Sequence, residues 1–263
     1  MSEKLISVEN LSAGTKHNQI LYNISFDIYA GEILCLLGQS GSGKTMTASA
    51  ILNMLPENVA KTSGQILYGA EKFHKGIYGS YISTIMQNPA SCFDSVFTIG
   101  QQFEDILKAN NKEYTNEKMC KTLEMVSLSN PYDILNSYPH QLSGGMLQRV
   151  MIAVALSLES RVVIADEPTS DLDVLGQKEI LDLILKLKNK NNAVLMITHN
   201  LSVVKHMADR IIVMENGHIV DNFYKDELYN NERHPYTQKL IDANESQYIN
   251  KWNINFGAYN ANM

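Results

Sequence analysis

The chain is poor in cysteine: among 263 residues there are 3, Cys35, Cys92 and Cys120. Their odd number, wide spacing and lack of any C-x-x-C pair exclude a disulfide framework or a zinc site and fit a reducing compartment. Positive charge is also scarce, with 22 Lys and Arg against 28 Asp and Glu and a net charge of −6. A dedicated nucleic-acid binder needs a basic face to displace counterions, so no nucleic-acid partner is expected. Long apolar runs are missing too. The longest is Val150 to Leu156, whereas a membrane-spanning helix needs about 18 or more apolar residues. The segment Met1 to Asn10 has no basic stretch leading into a long apolar one, so no secretory leader is expected. Any membrane role must come through a partner. Internal repeats and low-complexity tracts are absent as well.

What remains is ordinary globular material: 44% hydrophobic and 19% charged residues, enough for a buried core. The length suits one sizeable domain or two small ones. Apolar runs at Leu5 to Val8, Ile33 to Leu37, Ile82 to Met86, Val162 to Ala165, Val194 to Thr198 and Arg210 to Met214 read as strands. Helical patterns follow several of them, at Lys44 to Leu55, Leu175 to Lys188 and Leu201 to Ala208. Fully apolar strands alternating with helices predict an α/β fold with a parallel sheet covered on both faces. Leu5 to Glu9 and Ile24 to Ile28 alternate instead, as antiparallel strands do. Between Pro89 and Ser157 the pattern is helical throughout, with helices expected at Ile99 to Lys108, Asn116 to Val126 and Leu142 to Ser157. The expected division is thus an α/β core of residues 1–88 and 158–243, a helical insert of 89–157, and a flexible tail of 244–263.

Gly38-Gln39-Ser40-Gly41-Ser42-Gly43-Lys44-Thr45 fits G-x-x-x-x-G-K-[ST], with an apolar strand before it and a helix after it. Glycines let the loop curl so that successive N–H groups point inward at phosphate oxygens. The helix N-terminus adds roughly half a positive charge. Lys44 can reach the β- and γ-phosphates, and the Thr45 hydroxyl can ligate Mg²⁺.

A second strand, Val162 to Ala165, ends in Asp166 and Glu167. Acids at the carboxyl end of a parallel strand sit where α/β sheets bind ligands. Asp166 suits a Mg²⁺ ligand, and Glu167 can polarise an attacking water; alternatively the pair merely solvates a strand end. Leu142-Ser143-Gly144-Gly145-Met146 opens a helix with another Gly-rich N-terminus. It is either a second phosphate site, serving a nucleotide held by another subunit, or a plain loop capped by Ser143.

Together these residues resemble the ABC ATPase family from about Leu5 to Ala243. Gly38 to Thr45 is similar to its Walker A loop, Val162 to Glu167 to its Walker B strand, and Leu142 to Met146 to its LSGGQ-type motif, here ending in Met. Gln87 stands at the Q-loop glutamine, Ser170 to Asp173 at the D-loop, and His199 at the switch histidine. The resemblance implies a P-loop NTPase core with an antiparallel β subdomain and a helical insert. It implies ATP and Mg²⁺ as ligands, with the metal on Thr45, Gln87 and Asp166. Glu167 and His199 would be catalytic. Ser143, Gly144, Gly145 and Asp173 would contact the nucleotide of a second ABC ATPase subunit, most naturally in a heterodimer. Two transmembrane permease subunits and an extracytoplasmic substrate-binding protein complete the implied complex, with this chain peripheral on the cytoplasmic face of the membrane.

Finer segments narrow the resemblance. Tyr138-Pro139-His140-Gln141 and His234-Pro235-Tyr236-Thr237 are similar to importers of peptides and nickel. Ile85 to Pro89, Gly145 to Arg149 and Thr169 to Asp173 resemble most the D-type ATPase of nickel or metal-metallophore importers. The cargo implied is therefore nickel or a metal chelate, with di- or oligopeptides as the alternative. An exporter ATPase and a non-transport ABC protein of DNA repair or translation fit less well: fused membrane spans, a long coiled coil and a second cassette are all lacking. Three positions depart from the family. No aromatic stands near Thr15 to stack on adenine, so either ATP affinity is modest or His17 substitutes; Asp171 replaces a small residue; and Asn200 follows His199 where Asp is usual. The tail 244–263 has no Cys, so no iron–sulfur cluster is expected there.

Overall fold

The computed structural model describes residues 2–170, 172–230 and 232–245. Its strands are β1 (Lys4–Gly14), β2 (Gln19–Tyr29), β3 (Ile33–Leu37), β4 (Ala60–Tyr68), β5 (Glu71–Lys72), β6 (Ile82–Ile85), β7 (Val162–Asp166), β8 (Ala193–Thr198), β9 (Arg210–Glu215) and β10 (His218–Tyr224). An antiparallel sheet has the order β2-β1-β4-β5. A second sheet has the order β10-β9-β3-β8-β7-β6 and is parallel from β9 to β6, with β10 antiparallel at its edge. This is the expected α/β architecture with an antiparallel β part.

The helices are α1 (Lys44–Ile51), α2 (Ile99–Ala109), α3 (Asn116–Met125), α4 (Pro131–Asn136), α5 (Gly144–Leu158), α6 (Val174–Leu185) and α7 (Leu201–Met207). A further helical stretch covers 235–245. Side-chain caps place several starts. Thr98 and Gln101 form a capping box on α2, Thr115 caps α3, and Ser143 caps α5 by accepting from the Met146 N–H.

The central strand β3 explains the layering. Its residues alternate between two cores. Ile33, Cys35 and Leu37 face one that contains Phe103, Leu123, Val150 and Ile152 from the helical segment. Leu34 and Leu36 face the other, with Leu5, Leu21 and Ile24 of the antiparallel sheet. Being covered on both sides, β3 must be apolar throughout.

The structure departs from the sequence expectation in places. Helix α1 stops at Ile51 rather than Leu55, because Asn53 turns into the left-handed region at φ 50° and Met54 N–H bonds back to Ser49 O. The α5 helix begins at Gly144, two residues after Leu142, because Ser143 is its cap. Strands β4 and β10 and helix α4 were not expected. Most of β4 is solvent-exposed and polar, and its pairing with β1 holds it extended. The expected fraying of the tail after about Asn244 falls on residues 246–263, outside the described residues. Among the described residues no helix is long and apolar enough to cross a membrane.

Candidate functional site

The carboxyl ends of β3, β7 and β8 converge on one cleft of about 1100 Å³. Ligands bind at this edge of α/β sheets because the strands end there and the loops diverge. The β3 loop supplies Gln39, Ser40, Gly41, Gly43, Lys44 and Thr45 to the lining; Gln87, Glu167 and His199 come from the ends of β6, β7 and β8.

The loop between β3 and α1 curls through two left-handed glycines, Gly41 at φ 81° and Gly43 at φ 105°. Gly38 is required for a different reason: a Cβ there would lie 2.3 Å from the Met214 carbonyl oxygen. The Lys44 ammonium is buried and donates to Gly38 O at 2.8 Å and Gln39 O at 2.9 Å. Burial pulls its pKa below the ordinary lysine value, against the opposing charges of Glu167 and Asp166. A cation held this way, beside an open loop of N–H groups, suits an anionic phosphate chain.

Thr45 Oγ1 donates to Asp166 Oδ1 at 3.4 Å, so hydroxyl and carboxylate already lie side by side. With the Gln87 side chain at the same cleft, they offer only hard oxygen donors, which fits Mg²⁺. Burial pushes the Asp166 carboxyl above its ordinary value; the Thr45 hydrogen bond pulls it down, the Glu167 charge pushes it up and Lys44 pulls it down. A raised folded-state pKa means the unfolded chain holds this charge more easily. At neutral pH the Asp166 carboxylate therefore opposes folding, and the penalty disappears as pH falls through the ordinary carboxylate range. Asp166→Asn is accordingly expected to raise the unfolding temperature of the nucleotide-free protein. The same variant should lose the further Mg²⁺-dependent rise that ATP gives the wild type. Differential scanning calorimetry with and without Mg·ATP checks both signs.

Glu167 adopts φ 46°, unusual for a non-glycine residue and costing about 1–3 kcal/mol. The conformation is held by Glu167 N–H on Ile197 O at 2.9 Å. It turns the side chain out of the β7 line and across to His199. Glu167 Oε1 accepts from the His199 backbone N–H at 3.0 Å and meets its Nδ1 at 2.6 Å. The carboxylate is mostly buried while the imidazole is 61% exposed to the cleft. A carboxylate fixed this way can take a proton from water, and the exposed ring can meet a ligand's outer oxygen.

Other expected site residues lie elsewhere. Ser143, Gly144 and Gly145 do not line this cleft, and neither does Asp173, whose Oδ1 caps α6 through the Gly176 N–H at 2.8 Å. Asp171 is outside the described residues. Asn200 lines the cleft and caps α7 by accepting from Ser202 N–H at 2.9 Å. His17 is not at the cleft. Its backbone is tied into a turn by Thr15 Oγ1, and Ile20 is among the apolar residues that line the cleft. Sequence reasoning missed Gln177, Leu240, Ala243 and Asn244, which also line the cleft. Nothing local marks them: the first is one polar residue on a helix, and the others come from the far end of the chain.

Comparisons with known proteins agree with this geometry. The family described as ABC transporter matches residues 21–170. The oligopeptide transport ATP-binding protein OppD of Lactococcus lactis subsp. cremoris is 39% identical, over 94% of this chain and 76% of that protein. The dipeptide transport ATP-binding protein DppD of Bacillus subtilis is 37% identical, over 92% of this chain and 77% of that protein. Among solved structures, an ATP-binding cassette captured as a dimer in a post-hydrolysis state with ADP and Pi superimposes with TM-score 0.73 at 25% identity, over 84% of this chain and 99% of that one. An ATP binding subunit of an ABC transporter has the same fold, with TM-score 0.76 at 23% identity, over 92% of this chain and 99% of that one. A glycine-rich loop around a buried lysine, a hydroxyl–carboxylate pair and a Glu–His pair at one sheet edge, in a chain this similar to those proteins, identify it: it belongs to the ABC transporter family, as an ATP-binding subunit that hydrolyses ATP to drive transport.

Proposed function

We propose that the chain is the ATPase of an ABC importer whose cargo is a di- or oligopeptide. The observation carrying the cargo is the identity of 39% and 37% to two peptide-transport ATP-binding proteins over more than nine tenths of this chain. Nickel or a metal chelate is the second reading, supported by the Ile85 to Pro89, Gly145 to Arg149 and Thr169 to Asp173 segments. Either cargo would be chosen by the membrane subunits and an extracytoplasmic binding protein. The experiment is uptake by cells lacking the gene, complemented with the wild type. Restored uptake of a labelled oligopeptide, with no change in ⁶³Ni accumulation, is expected; the reverse pattern would overturn the peptide assignment.

In this reading the segment Gly38 to Thr45 holds the phosphates of ATP. Lys44 turns its ammonium from the Gly38 and Gln39 carbonyls toward the β- and γ-phosphates. Thr45, Asp166 and Gln87 would hold a Mg²⁺ ion, which when bound would neutralise phosphate charge. Glu167 accepts the proton of the attacking water, while His199, paired to Glu167 Oε1, presents its exposed ring to the γ-phosphate. The helix N-terminus at Ser143 to Gly145 and Asp173 do not line their own cleft and in this reading complete the site of a second ATPase subunit. A heterodimer beneath two permease subunits, on the cytoplasmic face, is the assembly this supports.

A further inference from the structure

The stretch 235–245 lies against the nucleotide cleft, and its first turn reaches the phosphate loop. The Tyr236 hydroxyl accepts a hydrogen bond from the Gln39 backbone N–H at 3.0 Å, although the two residues are 197 positions apart. The stretch is pinned at both ends. At its start, the Arg233 guanidinium pairs with Asp221 Oδ1 at 3.3 Å and His234 N–H donates to Asp221 Oδ2 at 3.1 Å. At its end, Asn244 bonds the Ser202 hydroxyl at 3.3 Å and accepts from Lys205 Nζ at 3.4 Å, both on α7. Tyr236 itself packs against the core that the sheet shares with the helical segment.

The Gln39 N–H and the Gly38 C=O belong to one planar peptide unit and point in opposite directions. Lys44 Nζ donates to that C=O, and Tyr236 accepts from that N–H. The peptide at the mouth of the loop is therefore held from two sides. A lysine that moves to phosphate oxygens releases one side; the tyrosine remains. We propose that Tyr236 is a positioning residue for the phosphate loop, fixing the Gly38–Gln39 peptide so that the following N–H groups are in place when nucleotide arrives. This rests on the reading of Gly38 to Thr45 as the phosphate site.

Tyr236→Phe removes only the accepting oxygen and keeps the packed ring. Losing one neutral hydrogen bond predicts about three- to tenfold weaker ATP binding to the full chain, measured by calorimetry. In the assembled transporter the KM for ATP should rise by the same factor, with kcat changed by less than about twofold. The unfolding temperature should match the wild type, whereas Tyr236→Ala, which also deletes the ring, should lower it. Unchanged affinity and KM in Tyr236→Phe would overturn the proposal. So would a fall in kcat at constant KM, the pattern of an interaction made only in the transition state rather than in nucleotide binding. Lys44→Ala serves as the separate arm. If it binds ATP as the wild type does, the phosphate-site reading itself fails, whatever Tyr236→Phe shows.

Discussion

Glu167→Gln is expected to bind Mg·ATP as tightly as the wild type and to hydrolyse it about 10²–10⁴ times more slowly, the contribution typical of a positioned general base. The substitution keeps the shape of the side chain and the left-handed backbone at φ 46°. Its amide oxygen can still accept from the His199 N–H, which bonds Glu167 Oε1 at 3.0 Å in the wild type. What it cannot do is take a proton from water. ATP bound between two subunits would then persist, and size-exclusion chromatography should show an ATP-dependent dimer that ADP does not support. Near-normal hydrolysis by the assembled Glu167→Gln complex would remove Glu167 from the base role.

Lys44→Ala should weaken ATP binding by about a hundredfold or more, since losing one partner of a buried charged contact costs about 2–5 kcal/mol. The wild-type ammonium is buried against Gly38 O and Gln39 O with no carboxylate in contact, so it is already positioned for an anion that this loop can receive. Burial holds its pKa below the ordinary lysine value. The charge therefore opposes folding at neutral pH, an opposition that vanishes only as pH rises through the range where lysine loses its proton in the unfolded chain. In the variant this relief is offset by the loss of the buried side chain and its hydrogen bonds to Gly38 O and Gln39 O, so the nucleotide-free variant should melt close to the wild type, which separates lost binding from lost folding. Isothermal titration with ATP and a melting curve on the same preparation decide the matter. Unchanged affinity would count against the phosphate cradle.

The parts of the fold legible in the sequence are those set by short-range chemistry. Strand β3 came out at Ile33–Leu37 as expected because burial on both faces demands an unbroken apolar run. Helices α2 and α3 were placed to within a residue at each end, and the Thr98 and Thr115 caps fix their starts. Strand β4 was not legible because its exposed, polar residues are held extended by pairing with β1 and, at its end, β5. The same division runs through the site. The contiguous loop Gly38 to Thr45 and the acid pair at the end of β7 announce themselves. The Glu167–His199 contact joins residues 32 apart, and the Tyr236–Gln39 bond joins ends of the chain that only the fold brings together. His234 to Thr237 carries a subfamily resemblance, yet nothing local gives it a place beside the Gly38 to Thr45 loop.

The nickel and peptide resemblances rest on different stretches of the chain. The segments that resemble nickel importers are short and overlap those that resemble motifs shared across the family, which are the same whatever is carried. The peptide-transport relatives match over more than nine tenths of the chain rather than over those segments alone.

The shared core beneath β3 has a consequence for anyone who would dissect this protein. Ile99, Phe103, Leu123 and Ile152 of the helical segment pack in one cluster with Val163, Val194 and Ile211 of the sheet, and Met86 N–H donates to Met151 Sδ at 3.1 Å. Segment 89–157 excised as a separate fragment would bare the apolar face of α5, and the remainder would bare the matching face of β3, β7 and β8. Neither piece carries a closed interior. The insert is thus a module in sequence but not in the workshop sense: it cannot be unbolted and exchanged between relatives unless its lining on the sheet is exchanged with it.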